Sequence, residues 1–453
     1  MAYANSMLTR RTMIQSTAAA FAGLAARRVK AASVPSQYGP LTPRTAENAQ
    51  EVLLQLPPLF RYTIVSRSRG TMDDGNPSPR LPDGMAAFAV GNELRLVRNH
   101  EIKNPELPLS PGPWAYDALG GGGTTTIVVD PVTRLPLRKF VSLSGTSSNC
   151  AGGPTPWGSW LSCEETTAGI GGGFTKPHGY CFEVPAAANA AVPAIPLPHL
   201  GRFFHEAAAV DPVTSIIYLT EDQERAGLYR CLLNRPFDLA GGGRLQMLAV
   251  RDAPAFEAVR GQTAGARLPA AWVDIADPDP PAAQANAAAV FEQGRARGGA
   301  RFRRLEGAWF GNGSLFFTST TGGERGIGQV WQYRARAPQS RKRRAAGGTP
   351  WDGDLTLIFE SPASDVMRNP DNVTVTPRGS LLTCEDSDSG LSFLRGLTPA
   401  GDVFPFAQNI SPVFAGSEFA GATFSPDGQT LFVNLQIAGY TLAIWGPWER
   451  GPL

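Results

Sequence analysis

Short apolar runs recur along the chain, each opened by a Pro/Gly turn and closed by polar residues, and one of them recurs almost verbatim. Residues 155–165 read TPWGSWLSCEE and residues 376–386 read TPRGSLLTCED. Thr-Pro, Gly-Ser, Leu, Cys, Glu and a second carboxylate recur in register, 221 positions apart. Such self-similarity marks a repeat architecture. The grammar is a turn, then a strand of apolar and β-branched residues, then acids at the strand's end. Weaker copies follow the same rule. ELRLVRNHE ends at His100-Glu101, DPVTSIIYLTED at Glu221-Asp222, GNGSLFFTSTT at Ser319-Thr320, and SPDGQTLFVNLQ at Asn434 and Gln436. With the two strong copies these make six units at irregular spacing.

Other strand-like segments precede several units: TTTIVVD at 124–130, HEAAAVD at 205–211, LEGAWFG at 305–311, NPDNVTVTP at 369–377 and FAGATFSPDG at 419–428. Three or four strands per unit, about six times over, predict an all-β fold, a six-bladed β-propeller with loop insertions. The insertions fall at 186–198 and at 252–300, with a short helix predicted near 282–297. The basic run Arg341-Lys342-Arg343-Arg344 reads as a solvated surface loop.

Composition sharpens this picture. Gly 50 and Pro 39 in 453 residues favour tight turns over long helices. A charged fraction of 18% and a net charge of +2 give no reason to expect nucleic acid or stable membrane anchoring. Residues 1–32 are set apart as an export signal. Thr9-Arg10-Arg11-Thr12-Met13-Ile14-Gln15, an Ala-rich run and then Arg27-Arg28-Val29-Lys30 resemble a twin-arginine signal, with an ordinary secretory signal as the alternative. The expectation is a periplasmic or secreted protein, handled by the twin-arginine machinery during export. Residues 33–453 then form a single β-propeller catalytic domain. The five cysteines, Cys150, Cys163, Cys181, Cys231 and Cys384, are an odd number for an exported chain; Cys181 and Cys231 are free to pair on spacing alone.

Blades set radially around a channel bring matching positions into one volume. Here those positions carry carboxylates in four of six copies and neutral donors in the other two. Crowded carboxylates raise one another's pKa unless cations compensate. Bound metal is the economical explanation, and oxygen-rich sites suit hard cations such as Ca²⁺, with a thiolate admitting iron. His100, His178, His199 and His205 are too scattered for a zinc site of the His-rich kind. His100 and His205, each before a Glu, read as groups that orient ligands. Two carboxylates open strands instead, in His205-Glu206 and Arg304-Leu305-Glu306; Arg304 suits either a bidentate contact to phosphate or an ion pair with a neighbouring acid.

NCAGGPTPWGSWLSCEET at 149–166 resembles the signature of the PhoX-type alkaline phosphatases. GRFFHEAAAVDP at 201–212, EGAWF at 306–310, NPDNVTVTPRGSLLTCEDS at 369–387 and FAGATFSPDGQTLFVNLQ at 419–436 are similar to the same family. The resemblance implies a six-bladed propeller with iron and calcium in its channel and hydrolysis of small phosphate esters. The alternatives are a phosphodiesterase, phytase-like or lactonase-type hydrolase using the same channel, or a metal-bearing propeller that binds without catalysis. Carried over by motif, Cys150 becomes the thiolate ligand of Fe(III). Glu165, Glu206, Glu306, Asp371, Glu385 and Asp386 become metal-binding carboxylates, with Glu164, Asn149 and Asn372 as lesser candidates. Arg304 becomes the phosphate-holding catalytic residue. The chain departs from the family's Arg-Pro-Glu motif at Leu305. No Ser, Thr or Cys sits in a nucleophile elbow, so no serine-type covalent intermediate is expected.

Overall fold

The computed structural model describes residues 33–336, 352–386, 390–412 and 416–453. The export-signal reading of 1–32 and the basic run at 341–344 lie outside these residues. Among the described residues no helix is long and apolar enough to cross a membrane.

The chain runs almost entirely in antiparallel strands. A hairpin of β1 (Thr42–Arg44) and β2 (Leu54–Leu56) precedes β3 (Arg61–Arg67). A meander follows: β4 (Pro82–Val90), β5 (Glu93–His100), β6 (Gly122–Val129) and β7 (Pro136–Thr146). Next come β8 (Asn149–Pro154), β9 (Ser159–Glu164) and β10 (Cys181–Pro185), then β11 (His205–Val210), β12 (Ile217–Glu221), β13 (Leu228–Leu233), β14 (Gly243–Val250) and β15 (Arg267–Asp274). The helix expected in the long insertion is α1 (Ala289–Ala296). Then follow β16 (Leu305–Gly311), β17 (Ser314–Ser319), β18 (Gln329–Ala335), β19 (Gly353–Glu360), β20 (Pro370–Val375), β21 (Leu381–Glu385), β22 (Phe393–Leu397) and β23 (Val403–Asn409). The last strands are β24 (Phe419–Phe424), β25 (Leu431–Leu435) and β26 (Tyr440–Trp445).

The all-β expectation holds, and the arrangement is propeller-like. Among the described residues, however, the strand pairing gives five sheets, not six separate blades. The reason is local. β15 pairs with β14 on one side and with β19 on the other, so two groups of four strands merge into one nine-stranded sheet. That sheet curls until its two end strands, β11 and β16, lie side by side. Six strands line the centre, and each neighbours the next: β4, β8, β11, β16, β20, β24 and back to β4. The ring closes because β3, from the start of the described chain, pairs with β26 from its end. Phe60 packs edge-on against Trp448 at 4.8 Å, and the Leu453 amide donates to the Tyr38 hydroxyl at 2.9 Å, which fixes both ends in one apolar cluster.

The six central strands share a defect. Each carries a β-bulge within its first few residues, seen as register shifts at Pro82/Met85, Asn149/Gly152, His205/Ala208, Leu305/Ala308, Pro370/Val373 and Ala420/Thr423. A bulge re-aims one side chain out of the alternating pattern. In five of the six strands the residue after it is Gly or Ala, because six backbones converge there; the sixth has Asn372. The third positions are Gly84, Ala151, Ala207, Gly307, Asn372 and Gly421, and only about 20 Å³ of space remains among them and their neighbours. A Cβ on Gly307 would sit 2.6 Å from the Asn372 Cα and 2.7 Å from the Asp371 carbonyl oxygen. Neither atom is a side chain that can swing away. Gly307→Ala is therefore expected to lower stability by about 1–3 kcal/mol, measured by urea unfolding of the metal-loaded protein.

Candidate active site

The bulges put chemistry on the axis. The second residue of five central strands is Asp83, Cys150, Glu206, Glu306 or Asp371; the sixth strand has Ala420 there. A second ring comes from the position just past the end of each neighbouring strand. β5, β9, β12, β21 and β25 deliver Glu101, Glu165, Asp222, Asp386 and Gln436, and β17 delivers Thr320. Glu418 joins from the residue before β24.

These groups touch. The Cys150 thiol lies 3.2 Å from Glu206 Oε1 and 3.7 Å from Asp83 Oδ2. Three overlapping sets bring their donor atoms within 4.8 Å of one another: Asp83–Glu101–Cys150, Cys150–Glu165–Glu206 and Glu206–Glu306–Asp371. Gln436 Nε2 donates to Asp83 Oδ2 at 2.7 Å and to Glu101 Oε2 at 2.8 Å. Asn372 Nδ2 donates to Asp371 Oδ1 at 2.9 Å.

Among the described residues nine carboxylates thus share one basin, and two cations, Lys103 and Arg304, pair with them there. Lys103 Nζ is 2.7 Å from Glu101 Oε1 and 3.5 Å from Glu165 Oε2. Arg304 makes a bidentate pair with Asp222 at 3.0 and 3.1 Å, and its Nη2 reaches Glu306 Oε1 at 2.7 Å. Arg304 holds this fork on a left-handed backbone, φ 44°, a conformation that strains a non-glycine residue. Burial, and then the neighbouring acids, push Asp83, Glu206, Glu306 and Glu418 well above the usual carboxylate range. Glu165 moves the same way, from burial and Glu101, with Lys103 opposing. Burial, Asp83 and Glu206 also raise the Cys150 thiol. Glu206 Oε2 is buried without a hydrogen-bond partner. A partnerless buried oxygen and this density of hard oxygen donors around one thiol suit cations. The donors present fit metal. The basin opens to solvent through a mouth of about 520 Å³ bordered by Arg80, Glu101, Lys103, Asp386, Glu418 and Gln436.

A family model described as alkaline phosphatase PhoX matches residues 130–439. The chain belongs to the PhoX family of alkaline phosphatases. Membership makes it a metal-dependent phosphatase, a hydrolase acting on small phosphate esters. PhoX of Pseudomonas fluorescens, solved in complex with vanadate, a transition state analogue, is similar in fold: 17% identity, 94% of this chain and 99% of that one covered, TM-score 0.65. A gluconolactonase from Xanthomonas campestris, XC5397, is more distant at 11% identity, 93% and 99% coverage and a TM-score of 0.43. No protein of curated function matches the sequence.

Seven of the eight principal motif-based PhoX assignments are brought together. Cys150, Glu165, Glu206, Glu306, Asp371, Asp386 and Arg304 all face the basin. Glu385 does not join them: its Oε1 accepts from Arg395 Nε and from the Arg368 amide, both at 2.9 Å. The cause is strand alternation. Glu385 is the last residue of β21, opposite Pro370, and Asp386 one position on points the other way into the basin. Glu164 is turned from the basin likewise, accepting from the Ser147 amide at 2.9 Å, the Gly179 amide at 2.8 Å and the Tyr180 amide at 3.1 Å. Asn149 bonds Ser162 instead, while Asn372 ties Asp371 to the Gly421 amide. Neither the His100 nor the His205 ring touches a basin carboxylate; their partners are Arg80 and Thr125, and Gly201 and Cys181.

In the sequence Asp83 and Glu418 stand outside the repeated strand ends, and Glu101 and Asp222 stand out only as strand ends. A signal existed for Asp83. Pro82-Asp83-Gly84 repeats the pattern of Pro370-Asp371-Asn372 at the head of its strand. The shifts carry a pH consequence. The folded, metal-free chain keeps protons on carboxyls that the unfolded chain releases; Asp371, for one, rises from 3.8 to about 8, through burial and then Asp386. The native state binds more protons, so stability falls as pH rises. Chelated protein should melt at progressively lower temperature from about pH 4 to about pH 8, and added calcium should reverse the trend. A melting temperature that is flat or rises over that window in chelator contradicts this.

Proposed function

We propose that the chain is an exported phosphomonoesterase that holds iron on Cys150 and calcium on the surrounding carboxylates. One observation carries the metal assignment. A single thiol, Cys150, lies among carboxylate oxygens, against Glu206 and near Asp83, with no imidazole in the basin among the described residues. One soft donor beside many hard ones suits iron at the sulfur and calcium among the oxygens. Cys150, Asp83, Glu101, Glu165 and Glu206 would hold the first; Glu206, Glu306 and Asp371, with Asp386 and Glu418 toward the mouth, would hold the others. Such cations, when bound, neutralise phosphate charge and make water a stronger acid.

The chain's own residues supply the rest. Arg304 presents a planar fork matched to two phosphoryl oxygens. Asp222 and Glu306 fix that fork in place, and one third of the side chain stays exposed. Arg304 is already engaged, so the clamp and ion-pair readings are one arrangement: the acids aim the guanidinium that receives phosphate. Lys103 spans Glu101 and Glu165 at the mouth and offers a second positive charge to an incoming anion. Gln436 and Asn372 hold Asp83 and Asp371 without adding charge. The fold counts as a six-bladed propeller if the nine-stranded sheet is taken as two blades joined by β15; the closed ring of six central strands supports that count, with 33–453 as one domain. Arg10-Arg11 and the Ala-rich run after them support twin-arginine export to the periplasm or beyond.

The test is an assay of p-nitrophenyl phosphate at alkaline pH, with metal analysis of the exported protein. Chelation should abolish turnover and calcium should restore it. Arg304→Ala should lower kcat/KM by about 10²- to 10³-fold with the metals retained. Cys150→Ala should lose iron and keep calcium. Iron unchanged in Cys150→Ala refutes the ligand assignment, and no turnover by the iron- and calcium-loaded protein refutes the phosphomonoesterase reading.

A further inference from the structure

Behind the basin lies a second cluster of donors of different chemistry. Cys163 on β9 and Cys181 on β10 are directly opposite each other. The neighbouring pair is bonded through the Glu164 amide and the Tyr180 carbonyl, so the cysteines occupy the wide, unbonded position of the ladder, where side chains come closest. Their sulfurs are 3.5 Å apart. His205 enters from β11, in the adjacent sheet, and its Nδ1 is 3.5 Å from Cys181 Sγ. All three donor atoms lie within 4.8 Å of one another, and all three residues are fully buried.

The imidazole is prearranged. Its Nε2 donates to the Gly201 carbonyl at 2.9 Å, which leaves Nδ1 as a bare lone pair facing the sulfurs. A metal-bound histidine is usually fixed through its far nitrogen in this way. The Phe203 ring holds the imidazole plane, with centroids 3.8 Å apart. The donor spacing matches a bound ion. Metal–sulfur and metal–nitrogen bonds of about 2.3 and 2.0–2.1 Å, at tetrahedral angles, set S···S near about 3.8 Å and S···N near about 3.5 Å. A disulfide needs the sulfurs about 1.5 Å closer. Cys231 and Cys384 take no part; Cys231 Sγ faces the His199 carbonyl at 3.7 Å.

We propose that Cys163, Cys181 and His205 supply three ligands of a second metal site, buried and separate from the acidic basin, for a soft d¹⁰ cation, zinc or copper(I). Two thiolates and a neutral imidazole discriminate against calcium, as the carboxylates discriminate for it. Binding of Zn²⁺ breaks two S–H bonds, forms two metal–sulfur bonds and one metal–nitrogen bond, and releases two protons to solvent. With no exposed ligand, loading has to accompany folding. The ion ties β9 and β10 to β11, the strand whose next residue is Glu206. The inference does not depend on the phosphatase reading.

The test uses the full chain, exported from cells grown with added zinc or, separately, added copper. Metal analysis should find about one zinc or copper ion per chain beyond the iron and calcium. Cys181→Ser and His205→Ala should reduce that content about tenfold or more, while Cys231→Ser should not. Cobalt(II) substitution should give a thiolate charge-transfer band that persists in Cys150→Ala and disappears in Cys181→Ser. The two growth conditions decide between the ions. Wild-type protein without zinc or copper under either condition, with Cys163 and Cys181 as free thiols or as a disulfide lighter by two hydrogens, overturns the proposal. That result stands even if a variant fails to fold.

Discussion

Mutual repulsion among carboxylates packed at the centre of the ring is the constraint to which the rest of the structure answers. Asp83, Glu206, Glu306 and Asp371 are delivered by four different strands into a volume where burial already disfavours their charge. A chain that only had to fold would not gather them, because each raises the free energy of the others. Lys103 and Arg304 offset a small part of this. The scaffold is correspondingly rigid. The bulge in every central strand, the glycines and alanines behind it, and the β3–β26 closure hold the acids in place against their own repulsion. Stability is lower at this site so that cations can be bound there.

The same arrangement explains why so few residues are spare. Side chains that end a strand and point back into the sheets are consumed structurally. Glu164 accepts three backbone amides, Glu221 accepts from the Gly227 amide and the Tyr229 hydroxyl, and Glu385 takes Arg395. Their neighbours one position on, Glu165, Asp222 and Asp386, face the basin. Each Glu-Glu or Glu-Asp pair therefore divides its labour, one acid bracing the turn and the other serving the site. A repeated pair of carboxylates reads in sequence as two equivalent candidates, and in space only one of the two faces the basin.

Membership of the PhoX family accounts for the phosphatase chemistry, while the geometry extends the shared basin beyond the matched residues. The family match begins at residue 130, beyond Asp83, Glu101 and Lys103. The first sheet nonetheless contributes all three to the same basin as the matched residues. Leu305, where the family motif has proline, is buried in the core while Arg304 and Glu306 on either side keep their places. The leucine thus leaves the Arg304–Glu306 ion pair intact.

Much of this was legible in the linear chain. Alternating apolar runs, turn residues and the echo of 155–165 in 376–386 determined an all-β repeat fold with acids carried to strand ends. Motif likeness singled out Cys150, Glu165, Glu206, Glu306, Asp371, Asp386 and Arg304, which the fold brings to one basin. Only the tertiary structure decided the rest. Whether a carboxylate faces the axis or the sheet turns on one residue of register, as Glu385 and Asp386 demonstrate, and a bulge that shifts that register leaves no composition signature. The merging of two strand groups through β15, and the meeting of Cys163, Cys181 and His205, depend on pairings between distant segments. Local sequence encodes periodicity, because side-chain direction follows from backbone geometry; it does not encode which distant strands lie side by side, because that is settled by packing the whole ring at once.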